Sequence, residues 1–199
     1  MRKVVVSEFV SLDGVMEAPG GDEGFEHAGW TFQFDFGPEG NQFKLDEVMR
    51  AGGLLLGRVT YEGFAKAWPS VTDEAGFADK MNSMPKYVVS KTLDKAEWNN
   101  STVLRGDVAD EVSKLKQQSG GELLINGSAE LVRTLMEHGL IDEYRLMVFP
   151  IVLGSGKRLF GDSRKPATLR LVETKPVGSD GVVVLTYEPA PQKGAATGP

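Results

Sequence analysis

The sequence predicts an α/β fold: a central, mostly parallel sheet with an antiparallel hairpin at its C-terminal edge. Three observations carry that expectation. Short apolar runs alternate with segments of helical period over the first two thirds of the chain, the pattern of strands joined by crossover helices. Two late runs, about Leu169 to Lys175 and Val182 to Glu188, flank the turn residues "GSDG", the mark of a hairpin. The run "LLLG" is apolar throughout, as suits a strand covered on both faces.

In order along the chain, Lys3 to Val10 reads as the first strand. A long loop follows, holding "SLDG" and the Gly- and aromatic-rich "GGDEGFEHAGWTFQFDFGPEG". A helix from about Asn41 to Arg50 turns Phe43, Leu45, Val48 and Met49 inward and is ended by Gly52 and Gly53. "LLLGR" then runs straight into a helix, "VTYEGFAKAW", and "KYVVS" and "TVLR" are two short strands. Val108, Val112 and Leu115 recur at i, i+4 and i+7, so a helix spans Asp107 to Ser119, with Asp107 as N-cap and Gly120 past the end. "LLINGSAELVRTL" is a strand, a glycine turn and a helix N-terminus, stopped by Gly139. "IDEYRLMVFPIVLG" is a long strand broken by Pro150. Residues 1–189 are expected to form one domain, and the Gly- and Pro-containing tail 190–199 to be disordered.

Composition narrows the function. The 199 residues are 41% hydrophobic, enough to fill a substantial core, and no run approaches the roughly 18 to 20 apolar residues of a membrane span. A cytoplasmic protein is expected. The chain has no cysteine, which removes disulfides, thiolate metal sites and a thiol nucleophile. His27 and His138 are the only imidazoles, too few for a histidine-rich metal centre. A formal charge of −6 argues against broad nucleic-acid binding.

Three strand ends have the form of an anion site. They are Gly57, Arg58 and Thr60 after "LLL", Ser90, Lys91 and Thr92 after "YVV", and Asn126 to Leu131 in "NGSAEL". Each combines small or hydroxylic residues with the unpaired N–H groups of a strand end or helix start, and two add a cation. A plain turn is the alternative at every one. Two other motifs fail. "LGSGKRLFG" lacks the leading glycine of a phosphate loop and has Arg158 where that loop needs Ser or Thr, and no G-x-G-x-x-G follows a strand. Trp30, Phe32, Phe34 and Phe36 alternate; they either line a pocket for a flat ring or form the buried face of a short strand, with packing favoured.

Taken together and in this order, "SLDG", "LLLGRVTYEGF", "YVVSKTL" and "GGELLINGSAELVRTLMEHGLIDEYRLMVFPIVLGSGKRLF" resemble the dihydrofolate-reductase-like superfamily. The likeness is to the C-terminal reductase domain of the riboflavin-biosynthesis deaminase-reductase, over about Lys3 to Glu188. The resemblance implies a three-layer sandwich, NADPH as hydride donor, a small heterocyclic or ribosylaminopyrimidine-type substrate, and a homodimer. By position it places Gly57, Arg58 and Thr60 at the cofactor-binding junction. Ser90 and Lys91, with Thr92, fall near the adenosine ribose phosphate, and Asn126, Gly127, Ser128, Ala129, Glu130 and Leu131 at the diphosphate turn. Hydride transfer also needs a proton source. Asp13 is the first candidate, ahead of Glu17 and His27, with an Asx turn before Gly14 as its other reading. Trp30 and Asn41 are candidate substrate contacts. Asn41 stands where dihydrofolate reductase carries a carboxylate, which disfavours folate. A nucleotide-binding protein without turnover and a true dihydrofolate reductase are the alternatives.

Overall fold

The computed structural model describes residues 1–21, 24–161 and 166–191. Successive side chains of its inner strands serve two different cores. On strand β1 (Val4–Ser11), Val4 and Val6 enter a cluster with Val112, Leu115, Val132 and Leu135, while Val5 enters another with Val48, Tyr61 and Met81. Strands β2 (Ala51–Gly57) and β5 (Glu122–Ile125) divide in the same way: Leu55, Leu123 and Ile125 to the first cluster, Leu54, Leu56 and Leu124 to the second. Period-two geometry with apolar residues at both phases requires cover on both faces.

That cover is helical. Helices α1 (Gly37–Arg50), α2 (Arg58–Ala67) and α3 (Phe77–Ser83) supply one face, and α4 (Val108–Gln117) and α5 (Ala129–Glu137) the other. With β3 (Lys86–Val89), β4 (Ser101–Leu104), β6 (Glu143–Phe149), β7 (Leu169–Val177) and β8 (Val182–Pro189), the sheet has the order β4-β3-β2-β5-β1-β6-β8-β7. The first six strands are mutually parallel; β8 pairs antiparallel with β6 and with β7. The expected mixed sheet, its edge hairpin and the three layers are all present.

Several local expectations change. Gly52 and Gly53 do not end α1 but begin β2, which follows the helix without a loop. A Cβ on Gly52 would lie 2.7 Å from the Gly121 nitrogen, so glycine here serves the close approach of β2 to the start of β5, where the register shifts. The helix α3 has no strong sequence signal; Asp73 makes it by accepting the N–H groups of Phe77 and Ala78 at 3.0 and 2.6 Å. The alternating aromatics are not a strand. Trp30 to Gln33 form a 3₁₀ turn, Phe32 projects into solvent, and Trp30, Phe34 and Phe36 pack edge-on or tilted against Phe149. From residue 192 the tail lies outside the described residues. Among the described residues no helix is long and apolar enough to cross a membrane.

Candidate functional site

The strand order places β5 between β2 and β1, so α2 leaves β2 on one face while α5 leaves β5 on the other. A crevice opens at such a point beyond the carboxyl ends of the strands. It is a cleft of about 1900 Å³, roughly twice the upper end of ordinary small-ligand pockets at about 1,000 Å³.

The two helix starts are held together by their own residues. The Gly57 N–H donates to Ser128 Oγ at 2.8 Å, and Thr60 Oγ1 lies 3.0 Å from the same oxygen. A Cβ on Gly57 would sit 2.6 Å from Ser128 Oγ, and one on Gly127, at φ +79°, would sit 2.7 Å from Thr60 Oγ1. The space above both glycines is thus filled by the opposite junction, not left open for a ligand. The Gly127 amide is engaged too, donating to Glu8 Oε1 at 2.6 Å. Neither α2 nor α5 has a side-chain cap among the described residues, whereas α4, whose first residue Val108 also reaches the cleft, is capped twice by Asp107. The first-turn N–H groups after Arg58 and Ala129 therefore remain for an anion, with both helix dipoles directed at it.

Gly127→Ala is consequently expected to lower stability by about 1–3 kcal/mol through overpacking against Thr60 and left-handed strain. Adding Thr60→Ala should return part of the loss, because the two nearest atoms disappear. Urea denaturation of the two variants measures both effects; no recovery in the double variant removes the steric explanation.

The predicted site residues separate into three groups. Gly57, Arg58, Thr60, Asn126, Gly127, Ser128, Ala129, Glu130 and Leu131 all line the cleft. Asn41 lines it as well, with its amide donating to Gly37 O at 3.0 Å. Ser90, Lys91 and Thr92 stand outside the lining, beyond Val89; Ser90 is buried, its hydroxyl accepting the N–H groups of Thr92 and Leu93.

Asp13 and Trp30 need correction. The Asp13 carboxylate accepts the N–H groups of Leu153 and Gly154 at 3.1 and 2.9 Å and the hydroxyl of Ser11 at 2.6 Å, with Arg158 at 3.5 Å. Led by the Ser11 bond, these hold its pKa down to about 2. It is an ionised clasp that ties the loop after β1 to the loop after β6, it lies outside the cleft lining, and it has no proton to give at neutral pH. Trp30 is 3% exposed and donates from its ring nitrogen to Glu17 O. It is a core residue that supports the cleft through Glu17 but does not itself line it.

Glu8, which the sequence reading passed over, does line the cleft. It shares the α5-facing side of β1 with Val6 and Val10, and it is 7% exposed. Burial, with a smaller contribution from Glu47, drives its pKa up to about 8 against the pull of the Gly127 N–H and Lys44. It is a neutral acid at pH 7. The signal in the sequence was a Ser-Glu pair inside the apolar run "VVVSEFV". On the other side of β1, Ser7 Oγ donates to Glu47 Oε2 at 2.8 Å, and Lys44 donates to Ser7 at 2.7 Å and pairs with Glu47 at 2.7 Å. One side of the cleft carries apolar residues, Phe9, Phe36, Leu45, Phe64, Trp68 and Phe77 among them.

Comparisons with known proteins fit this geometry. The chain is 29% identical over 189 residues to the Bacillus subtilis protein YyaP, covering 94% of each. Its fold is similar to that of a putative riboflavin biosynthesis protein from Shewanella sp. PV-4, with a TM-score of 0.72, 21% identity, and 95% of this chain and 99% of that one covered. It is also similar to that of Enterococcus faecalis dihydrofolate reductase complexed with NADP(H), with a TM-score of 0.60, 15% identity, and 94% and 96% covered. At those identities the two structures speak for the fold alone. The model of the RibD C-terminal domain matches residues 2–183, and so the chain belongs to the RibD C-terminal domain family.

Proposed function

We propose that the protein is an NADPH-dependent reductase of a small heterocyclic or ribosylaminopyrimidine-type substrate, similar in kind to 5-amino-6-(5-phosphoribosylamino)uracil reductase. One observation carries the reading: two helix N-termini without side-chain caps open into a single cleft that continues along an aromatic wall. The free N–H groups suit a diphosphate, and the wall suits flat rings. The cofactor family seen with the dihydrofolate reductase neighbour supports the same assignment.

NADPH supplies a hydride when bound. The chain supplies position and exclusion of water. Arg58 to Thr60 and Ala129 to Leu131 offer the anion-binding N–H groups, while Phe9, Phe36, Phe64 and Trp68 hold the acceptor ring away from solvent. Asn41 turns its amide onto its own helix, in keeping with a substrate other than folate. A homodimer working in the cytoplasm belongs to the same proposal.

Trp68 lines the cleft, so tryptophan fluorescence should change on titration with NADPH. Pteridines, aminopyrimidine ribosyl phosphates and simple carbonyls, followed at the NADPH absorbance, then test turnover. Binding with no turnover across the panel would favour a nucleotide-binding role. Lys91, exposed at the end of β3, is assigned to the extra ribose phosphate. Lys91→Ala should therefore weaken NADPH about tenfold or more and NADH little, and equal losses would release Lys91 from that role.

A further inference from the structure

Reduction of a C=N or C=O bond consumes a proton as well as a hydride, and the residue that supplies it must reach the cleft. No histidine lines the cleft among the described residues, and the chain has no cysteine. Asp13 is excluded by its clasp. Of the carboxyl groups that do line it, Asp73 is committed to capping α3, Glu17 to Lys157 at 3.3 Å and Glu130 to Arg133 at 3.2 Å. Glu8 differs: only Oε1 is engaged, by the Gly127 N–H, which leaves Oε2 without a partner among the described residues.

Sheet order indicates which end of the cofactor Glu8 meets. Strands β3, β2, β5 and β1 are consecutive neighbours, each about 4.8 Å from the next. With the ribose phosphate at the β3 end and the diphosphate over β2 and β5, a dinucleotide continues in the same direction to β1. There Glu8 stands beside the aromatic wall that begins at Phe9.

Resting on the reductase reading, we propose that Glu8 is the proton donor of the reaction. The C–H bond of the dihydropyridine ring breaks with its electron pair, and a C–H bond forms at the acceptor carbon. The displaced π pair moves to the neighbouring nitrogen or oxygen, to which Glu8 gives its carboxyl proton. Glu8 is left as a carboxylate near the positively charged oxidised ring, and water from the cleft mouth restores the proton. The raised pKa of Glu8 agrees with this role, since it keeps the proton in place at pH 7.

The charges around Glu8 leave its proton responsive to that ring. From α1, on the other side of β1, Lys44 and Glu47 act on it through their charges as a pair at 2.7 Å, and Arg145 of β6 stands behind Glu47 at 3.7 Å. Glu130 and Arg133 of α5, and Glu17 with Lys157, are likewise paired. No unpaired cation among these holds Glu8 ionised beforehand.

The test needs no substrate. Titrate the whole protein at pH 7 with NADP⁺ and with NADPH, by calorimetry in two buffers of different ionisation enthalpy. NADP⁺ should release most of one proton and NADPH almost none. Glu8→Gln should bind both and show no difference in release. Equal release for the two dinucleotides, or a difference that persists in Glu8→Gln, overturns the role of Glu8 and leaves the reductase reading standing. Heat from neither dinucleotide overturns both.

Discussion

Glu8→Gln is expected to melt at a higher temperature than the parent protein at pH 7, even though it lacks the proton the reaction needs. In the fold the Glu8 pKa is raised from the usual 4.5 to about 8. Between those values the folded state holds a proton that the unfolded chain has released. The contribution of Glu8 to stability is therefore fully present below about pH 4.5 and is lost as pH rises toward 8. Glutamine carries no such dependence, and its carbonyl still accepts the Gly127 N–H that Glu8 now accepts at 2.6 Å. The gain should be under about 1 kcal/mol at pH 5 and at most about 3 kcal/mol at pH 7, several degrees in Tm for a chain of this size. Thermal melts at pH 5, 7 and 8 measure it. A gain that is the same at all three would mean that ionisation is not its source.

Arg145→Ala should produce the opposite change and a larger one. The Arg145 guanidinium, buried in β6, donates to both oxygens of Glu122 at 2.8 and 2.9 Å and to Glu143 at 2.6 Å, and it lies 3.7 Å from Glu47. Burial alone would lower its pKa; the bond to Glu122 and the charges of Glu122, Glu143 and Glu47 outweigh that and raise it. Alanine leaves Glu122 without its cation and takes one of two from Glu143, which keeps Lys3, and from Glu47, which keeps Lys44 and has no exposed surface. Removing one partner of such a buried group costs about 3–5 kcal/mol. In a Glu47→Gln background the cost should fall by about 1 kcal/mol or more. Urea denaturation of the four proteins of this cycle gives the coupling, and a zero value would separate the arginine from Glu47. Because Glu47 also anchors Lys44 and Ser7, the same network supports the cleft floor from beneath.

What could be read in the sequence follows from how local its causes are. β2 and α4 were legible because their signals lie within their own residues: an unbroken apolar run and a capped period of 3.6. The glycine junctions at Gly57 and Gly127 were legible as positions but not as reasons, since the atoms that require glycine belong to Ser128 and Thr60 on the opposite junction. Asp13 misled because its partners Leu153 and Gly154 are about 140 residues away, and no spacing rule spans that distance. The aromatic alternation at Trp30 to Phe36 imitated a strand, although a 3₁₀ turn starting at Trp30 changes which rings face inward. Glu8 was missed because a strand pattern tolerates a polar pair such as Ser7 and Glu8. Only burial on both sides of β1 shows that Glu8 carries an uncommon proton.

The position of β1 also governs how the chain can fold as it is synthesised. Among the described residues its partners are β5 and β6, whose residues begin at 122 and 143. β2, β3 and β4 with their helices can assemble on one another while Val4–Ser11 still waits, apolar and rich in β-branched residues, for neighbours yet to leave the ribosome. At about 5–20 residues per second that interval lasts on the order of ten seconds. During it the segment has the features of a self-associating strand.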